Sequence, residues 1–236
     1  MANSDIEKLR GGLIVSCQAP ADSPLCVPEI IAALALTAEQ NGAVGVRINS
    51  PEHIAATKLR VAVPIIGIEK IVTSESEVYI TPTFEAVKRV VGSGANLVAV
   101  DATRRRRPRG ERLDELIFRT QNELQSSLMA DVATFDEGLY AADCGADIIA
   151  TTLCGYTSDS RGAKLPALDL LARLAGKLNA PVICEGGVAS PEQMQQAFEC
   201  GAFAVVVGTA ITGIGQLVKR FVAASALANR QQNFAG

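Results

Sequence analysis

The 236-residue sequence has no tryptophan, a single histidine and only 4% aromatic residues. One histidine excludes a His-rich metal centre, and it excludes a Ser-His-Asp triad unless His53 serves in it. His53 follows Ser50-Pro51-Glu52, which reads as a helix start, so it is expected as a surface or helix residue. Acid–base chemistry must then come from Lys, Asp, Glu, Tyr or Cys. Paired cysteine motifs are also missing. Cys17, Cys26, Cys144, Cys154, Cys184 and Cys200 form no C-x-x-C pair and no short-range cluster, which fits a reduced cytoplasmic protein better than a disulfide scaffold.

Long apolar runs are lacking as well. The mean hydropathy of +0.23 is high for a soluble chain. Yet runs such as Ile30 to Leu36 and Ala204 to Gly208 fall short of the roughly 18 residues that span a bilayer. Met1 to Arg10 is mixed polar and charged, unlike a signal peptide. No membrane association is expected. Nor is there an excess of one charge: 22 Lys+Arg stand against 25 Asp+Glu, a net of -3. That balance argues against nucleic acid as a partner. Arg104 to Arg107, with Arg109, is the one dense charge block. It reads as a solvated face, with a subunit contact or anion steering as alternatives. Disorder is excluded by the 48% hydrophobic content.

What is present is a repeat. Eight short runs rich in Val, Ile, Leu and Ala each end in glycine or a polar residue, and an amphipathic stretch follows. The runs are Leu13–Cys17, Ala43–Arg47, Pro64–Ile68, Leu97–Asp101, Ser127–Asp131, Asp147–Thr151, Pro181–Glu185 and Phe203–Gly208. Continuous rather than alternating apolar runs mark parallel strands buried on both faces, which accounts for the hydropathy. Helices are expected over Pro28–Gln40, Thr83–Val91, Thr134–Asp143 and from Ser190-Pro191 to Gly201. Three of the αβ turns repeat one pattern: Gly94-Ala95-Asn96, Gly145-Ala146-Asp147 and Gly201-Ala202-Phe203. The predicted fold is α/β, a (β/α)8 barrel in one domain over residues 1–236. A doubly wound open sheet is the competitor, but its G-x-G-x-x-G is absent after the first run, where Gln18-Ala19-Pro20 stands. Ser160 to Lys164 is the one loose stretch.

Function in such barrels gathers at the C-terminal strand ends. Those ends carry Gln18, Arg47, Lys70, Asp101, Asp131, Thr151 with Thr152, Glu185, and Gly208 with Thr209. Any one of these could simply end a strand, but together they form a polar ring. Glu185-Gly186-Gly187 and Gly208-Thr209 close the last two strands, where small residues let backbone N–H groups approach an anion. A phosphate site is expected there.

Several segments resemble one family. They are Gly12–Gln18, Pro64–Lys70, Tyr79–Thr83, Met129–Asp131, Thr151–Thr157 and Val182–Gly186. In order, from about residue 11 to about residue 222, they resemble N-acetylmannosamine-6-phosphate 2-epimerases. The resemblance implies a barrel that interconverts N-acetylmannosamine 6-phosphate and N-acetylglucosamine 6-phosphate, in sialic-acid and amino-sugar breakdown. It implies no cofactor and no metal, and a homodimer, for which the apolar last helix, Leu217 to Leu227, offers a surface. Carried over, the catalytic lysine falls on Lys70 and its paired carboxylate on Glu185. Lys70, partly neutral through burial and the nearby Arg47, would move the C2 proton. Glu185 would orient the sugar or assist. Gln18, Arg47 and Asp131 would hold hydroxyls, acetamido group and aldehyde oxygen, with Thr152, Gly155 and Tyr156 as further substrate contacts. Arg47 would stabilise the enediolate oxygen.

The chain departs from the family pattern at Ile71, Gly187 and Gly213, where that pattern has arginine. Phosphate would then be held by backbone at Gly186, Gly187, Gly208 and Thr209, with a weaker grip. Two other enzyme readings keep the barrel: a Schiff-base aldolase using Lys70, and unrelated phosphate chemistry. A non-enzymatic phosphosugar-binding barrel is the reading from a different class.

Overall fold

The computed structural model describes residues 4–225. Eight strands, β1 (Leu13–Cys17), β2 (Gly45–Asn49), β3 (Ile65–Ile68), β4 (Leu97–Asp101), β5 (Ser127–Asp131), β6 (Ile148–Ala150), β7 (Val182–Glu185) and β8 (Ala204–Val207), close into a barrel in sequence order. All eight neighbouring pairs are parallel, β8 pairing back to β1. The helices are α1 (Ser4–Glu7), α2 (Pro28–Gln40), α3 (Pro51–Lys58), α4 (Phe84–Gly92), α5 (Leu113–Glu123), α6 (Phe135–Asp143), α7 (Leu168–Lys177), α8 (Pro191–Glu199), α9 (Thr209–Thr212) and α10 (Ile214–Ala223). Among the described residues, no helix is long and apolar enough to cross a membrane.

Successive side chains on a strand point to opposite faces, and both faces here are dry. Val15, Val46, Ile48, Val98, Val100, Leu128, Ala130, Ile149 and Val205 face outward into the layer under the helices. Ile14, Ile66, Ile68, Leu97, Ala99, Met129, Ile148, Ala150, Ile183, Ala204 and Val206 fill the interior. Ile6 of α1 and Leu9 join this inner cluster together with Phe203 and close the N-terminal end. The apolar runs are therefore uninterrupted because neither face meets water.

Helix starts follow the chain's capping residues. Thr83, Thr134 and Ser190 each accept a hydrogen bond from the third residue on, and Thr134 with Glu137 makes a reciprocal capping box. In the repeated αβ turn, Gly94, Gly145 and Gly201 have φ of 97°, 93° and 93°, a region that disfavours side chains. Two of these turns are also pinned by the next polar residue. Asn96 Oδ1 accepts from Ile65 N at 3.1 Å, and Asp147 Oδ2 accepts from Leu128 N at 2.8 Å.

Several expectations shift. The second strand runs two residues further, to Asn49, because its turn comes only at Ser50, whose φ is +80°. Arg47 is thus mid-strand and inside the barrel rather than on the rim. His53 is on a helix but is not a surface residue. It is buried, with Nδ1 3.0 Å from the Asn49 carbonyl. The arginine run is not one solvated face either. Arg104 and Arg106 are exposed, but Arg107 is buried and Arg105 pairs with Asp101 at 2.7 Å. Helices α5 and α7, not singled out from sequence, bury Leu116 and Ile117, and Leu171 and Leu174. The last helix ends at Ala223, and Leu227 lies outside the described residues. The loose stretch starts anchored: Ser160 Oγ accepts from Gly155 N at 2.9 Å.

Candidate active site

The interior residues of each strand continue upward into polar ones. Ile14 leads to Ser16 and Gln18, Ile66 and Ile68 to Lys70, Met129 to Asp131, Ala150 to Thr152, and Ile183 to Glu185. The period of two aims these groups at one space. That space is an open cavity of about 930 Å³ at the C-terminal end of the barrel.

Its floor is an ion cluster. Arg47, 1% exposed, spans two carboxylates. Nη1 and Nη2 donate to Asp131 Oδ1 and Oδ2 at 3.1 and 2.5 Å, and Nη1 donates to Glu185 Oε2 at 2.5 Å. Thr152 Oγ1 lies 2.6 Å from Asp131 Oδ1 and 3.2 Å from Glu185 Oε2. The Thr151 hydroxyl holds the Glu185 backbone from both sides, accepting from its N–H and donating to its carbonyl. Burial opposes the Arg47 charge, but Asp131 and Glu185 more than offset it, so the guanidinium stays ionised.

Lys70 stands above this floor, reachable by solvent through the mouth. Its backbone is fixed from two sides. Its N–H donates to Asn49 Oδ1 at 2.9 Å, and it bridges Ile80 in antiparallel fashion. Crowding by protein lowers the Lys70 pKa, and the Arg47 charge lowers it further. Burial raises the Glu185 pKa well above the usual carboxylate range, against Arg47 and with the help of Asp131. Arg47 already carries Asp131, so it does not fully satisfy a second carboxylate. The two shifts run toward each other, the lysine's downward and the carboxylate's upward.

The structure brings most of the expected residues together. Gln18, Arg47, Lys70, Thr152, Tyr156, Glu185, Gly186, Gly187, Gly208 and Thr209 all line the cavity. Asp131 lies beneath it, fully buried, with both oxygens on Arg47 and one also on the Thr152 hydroxyl, so it acts on a ligand through those side chains. Gly155 is outside the wall, packed on Leu165. Asp101 has the right orientation but is roofed by Ile80, whose carbonyl accepts from Asp101 N, and it serves Arg105 and Thr103. At the far end, the N–H groups of Gly186, Gly187, Gly208 and Thr209 donate to no protein acceptor among the described residues. Gln18 Nε2 donates to Ser16 Oγ at 2.7 Å, whereas its buried Oε1 has no protein partner.

Asn49, Tyr79, Lys219 and Arg220 also line the cavity and escaped the sequence reading. Asn49 was signalled by its position just before the Ser50-Pro51 helix start. Tyr79 returns on a loop, and Lys219 and Arg220 sit on α10, so no strand-end rule reaches them. Among the described residues, no cluster of three or more His, Cys, Asp or Glu side chains could hold a metal ion.

Comparison with known proteins agrees with the fold. Residues 31–226 match the family model NanE, described as "Putative N-acetylmannosamine-6-phosphate epimerase". A protein of Synechococcus elongatus named "Putative N-acetylmannosamine-6-phosphate 2-epimerase" is 51% identical over 221 residues, covering 93% of this chain and 95% of that one. One of the same name from Caldanaerobacter subterraneus is 45% identical, covering 92% of each chain. The solved N-acetylmannosamine-6-phosphate 2-epimerase of Clostridium perfringens superposes with a TM-score of 0.90 at 37% identity, covering 95% of this chain and 98% of that chain. A thiamine phosphate pyrophosphorylase from Pyrococcus furiosus, at 15% identity and a TM-score of 0.61, shares the fold alone. With the family model, these relatives and the barrel in agreement, the chain belongs to the N-acetylmannosamine-6-phosphate epimerase family.

Proposed function

We propose that the chain interconverts N-acetylmannosamine 6-phosphate and N-acetylglucosamine 6-phosphate by proton transfer at C2 of the open-chain sugar. The observation that carries this reading is the Lys70–Glu185 pair above the Arg47 guanidinium. Neutral Lys70 takes the C2 proton through Nζ. The C–H electron pair moves into the C1–C2 bond, and the carbonyl pair moves onto O1 as an enediolate-type oxyanion. The positive charge of Arg47 stabilises that oxygen. Protonated Glu185 returns a proton to the opposite face of C2, which inverts the centre. The enzyme is left with Lys70 protonated and Glu185 ionised, the form needed for the reverse reaction. Gln18, Thr152 and Tyr156 contact hydroxyls and the acetamido group. Asp131 and Asn49 act on the reaction by fixing Arg47 and Lys70.

The amides at Gly186, Gly187, Gly208 and Thr209 receive the phosphate. No cofactor or metal takes part in this scheme. The chain would work as one catalytic domain in the cytoplasm, in amino-sugar breakdown. It would form a homodimer through the exposed apolar stripe Ile211, Ile214, Val218, Phe221 and Val222. Incubation with N-acetylmannosamine 6-phosphate in deuterated water tests the reading. Product formation with deuterium at C2 is expected. A borohydride-trapped sugar adduct on Lys70 would instead favour the aldolase.

A further inference from the structure

We propose that Lys219 and Arg220 of α10 are the side-chain cations that hold the substrate phosphate. The inference rests on the epimerase reading for the identity of the ligand, and on the cavity for the residues. Among the described residues, four cations line that cavity: Arg47, Lys70, Lys219 and Arg220. Arg47 has both its terminal nitrogens on carboxylates, so its charge is matched inside the floor. Lys70 belongs to the reaction end. Lys219 and Arg220 remain, and neither is within salt-bridge distance of a carboxylate among the described residues.

Their place follows from helical spacing. Gly215 and Gln216, in the first turn of α10, line the cavity, and Lys219 and Arg220 come one turn later on the same face. Val218, Phe221 and Val222 lie among them in sequence as large exposed apolar groups. Thr209, whose amide is free, heads the short helix that runs into α10. The same continuous wall thus carries open amide donors and two uncompensated cations.

Two inner-ring positions at this end, Gly213 and Gly187, have no room for a side chain. A Cβ on Gly213 would stand 2.6 Å from the Thr209 carbonyl oxygen and 2.8 Å from Thr209 Cα, both rigid backbone. A Cβ on Gly187 would stand 2.5 Å from Leu165 Cβ, and φ there is +74°. Those two positions supply no positive charge for a dianion, and α10 brings two cations to the same cavity. Long flexible side chains on an exposed helix give a looser, more salt-sensitive grip than a buried guanidinium would.

The test uses the full chain and the double variant Lys219→Ala/Arg220→Ala, with inorganic phosphate as probe in calorimetry. The double variant is expected to lose roughly tenfold or more in phosphate affinity and to raise KM for N-acetylmannosamine 6-phosphate by a similar factor, with kcat little changed. The swap Lys219→Arg/Arg220→Lys is expected to keep most of both. Unchanged phosphate affinity and KM in the folded double variant would overturn the proposal. If phosphate affinity falls as expected but neither protein turns over the sugar, the epimerase reading fails and the anion site stands.

Discussion

Arg47 Nη1 and Glu185 Oε2, 138 residues apart in sequence, meet at 2.5 Å inside the barrel. The pairing is incomplete by design of its neighbours. Asp131 already holds both terminal nitrogens of Arg47, so Glu185 shares a cation rather than owning one. A buried carboxylate with half a counterion retains protons that a fully paired one would release. With burial, this sharing leaves the Glu185 pKa raised, as the proposed proton transfer requires.

Removing the base tests the chemistry directly. Lys70→Ala should abolish deuterium incorporation at C2 while the circular dichroism spectrum and melting temperature stay near those of the parent, since the side chain is solvent-reachable. Retained exchange would reject Lys70 as the base.

The two shifts make a pH profile. The reactive form in the epimer-forming direction has Lys70 neutral and Glu185 protonated, so kcat/KM should be bell-shaped. Its basic limb falls as Glu185 ionises. Its acidic limb falls as Lys70 takes up a proton, below the lysine's ordinary value of 10.5. Glu185→Gln should lower kcat by about 100-fold or more and change the limbs, because an amide cannot supply the proton.

Stability should follow the same carboxylate. Its folded pKa is raised, so the native state binds more protons than the unfolded chain at pH values above the ordinary Glu value of 4.5. The contribution of Glu185 to folding is most favourable below that value and declines as pH rises through the folded pKa. Denaturant titrations should show this fall in the parent, and a flatter profile in Glu185→Gln.

Asp131 is a structural partner whose loss strands a charge. Asp131→Ala should cost about 3–5 kcal/mol by leaving the buried guanidinium with one partner. A melting temperature within a degree or two of the parent would contradict the account of the floor.

The apolar outer face of α10 predicts its own result. Phe221 is 79% exposed and Val218 54% exposed. The Val218→Asp/Phe221→Asp variant should elute as a monomer in size-exclusion chromatography with light scattering, where the parent elutes as a dimer. A parent that is monomeric at micromolar concentration would remove the homodimer from the proposed function.

Much of this was legible in the chain. The eight apolar runs located all eight strands, because burial on both faces leaves a signal no loop imitates. Lys70 and Glu185 stood out as charges directly after such runs. Arg47 was read in the right strand but at its end, since Ile48 and Asn49 look like a turn until the Ser50 geometry is known. Asp101 carried the same strand-end signature as Asp131 and has a different fate. The difference lies in a preceding loop: Ile80 comes back over β4, and no local pattern announces it. Lys219 and Arg220 were invisible for a similar reason, because a strand-end rule does not look at the helix after β8.

The sealed N-terminal end has one more effect. Ile6, Leu9 and Phe203 close the bottom of the barrel, and apolar layers separate them from the ion cluster. Bulk solvent therefore reaches Lys70 and Glu185 from the mouth. In the proposed cycle an abstracted hydrogen would leave by that one route, so the extent of isotope washout would report how far bound sugar covers the mouth.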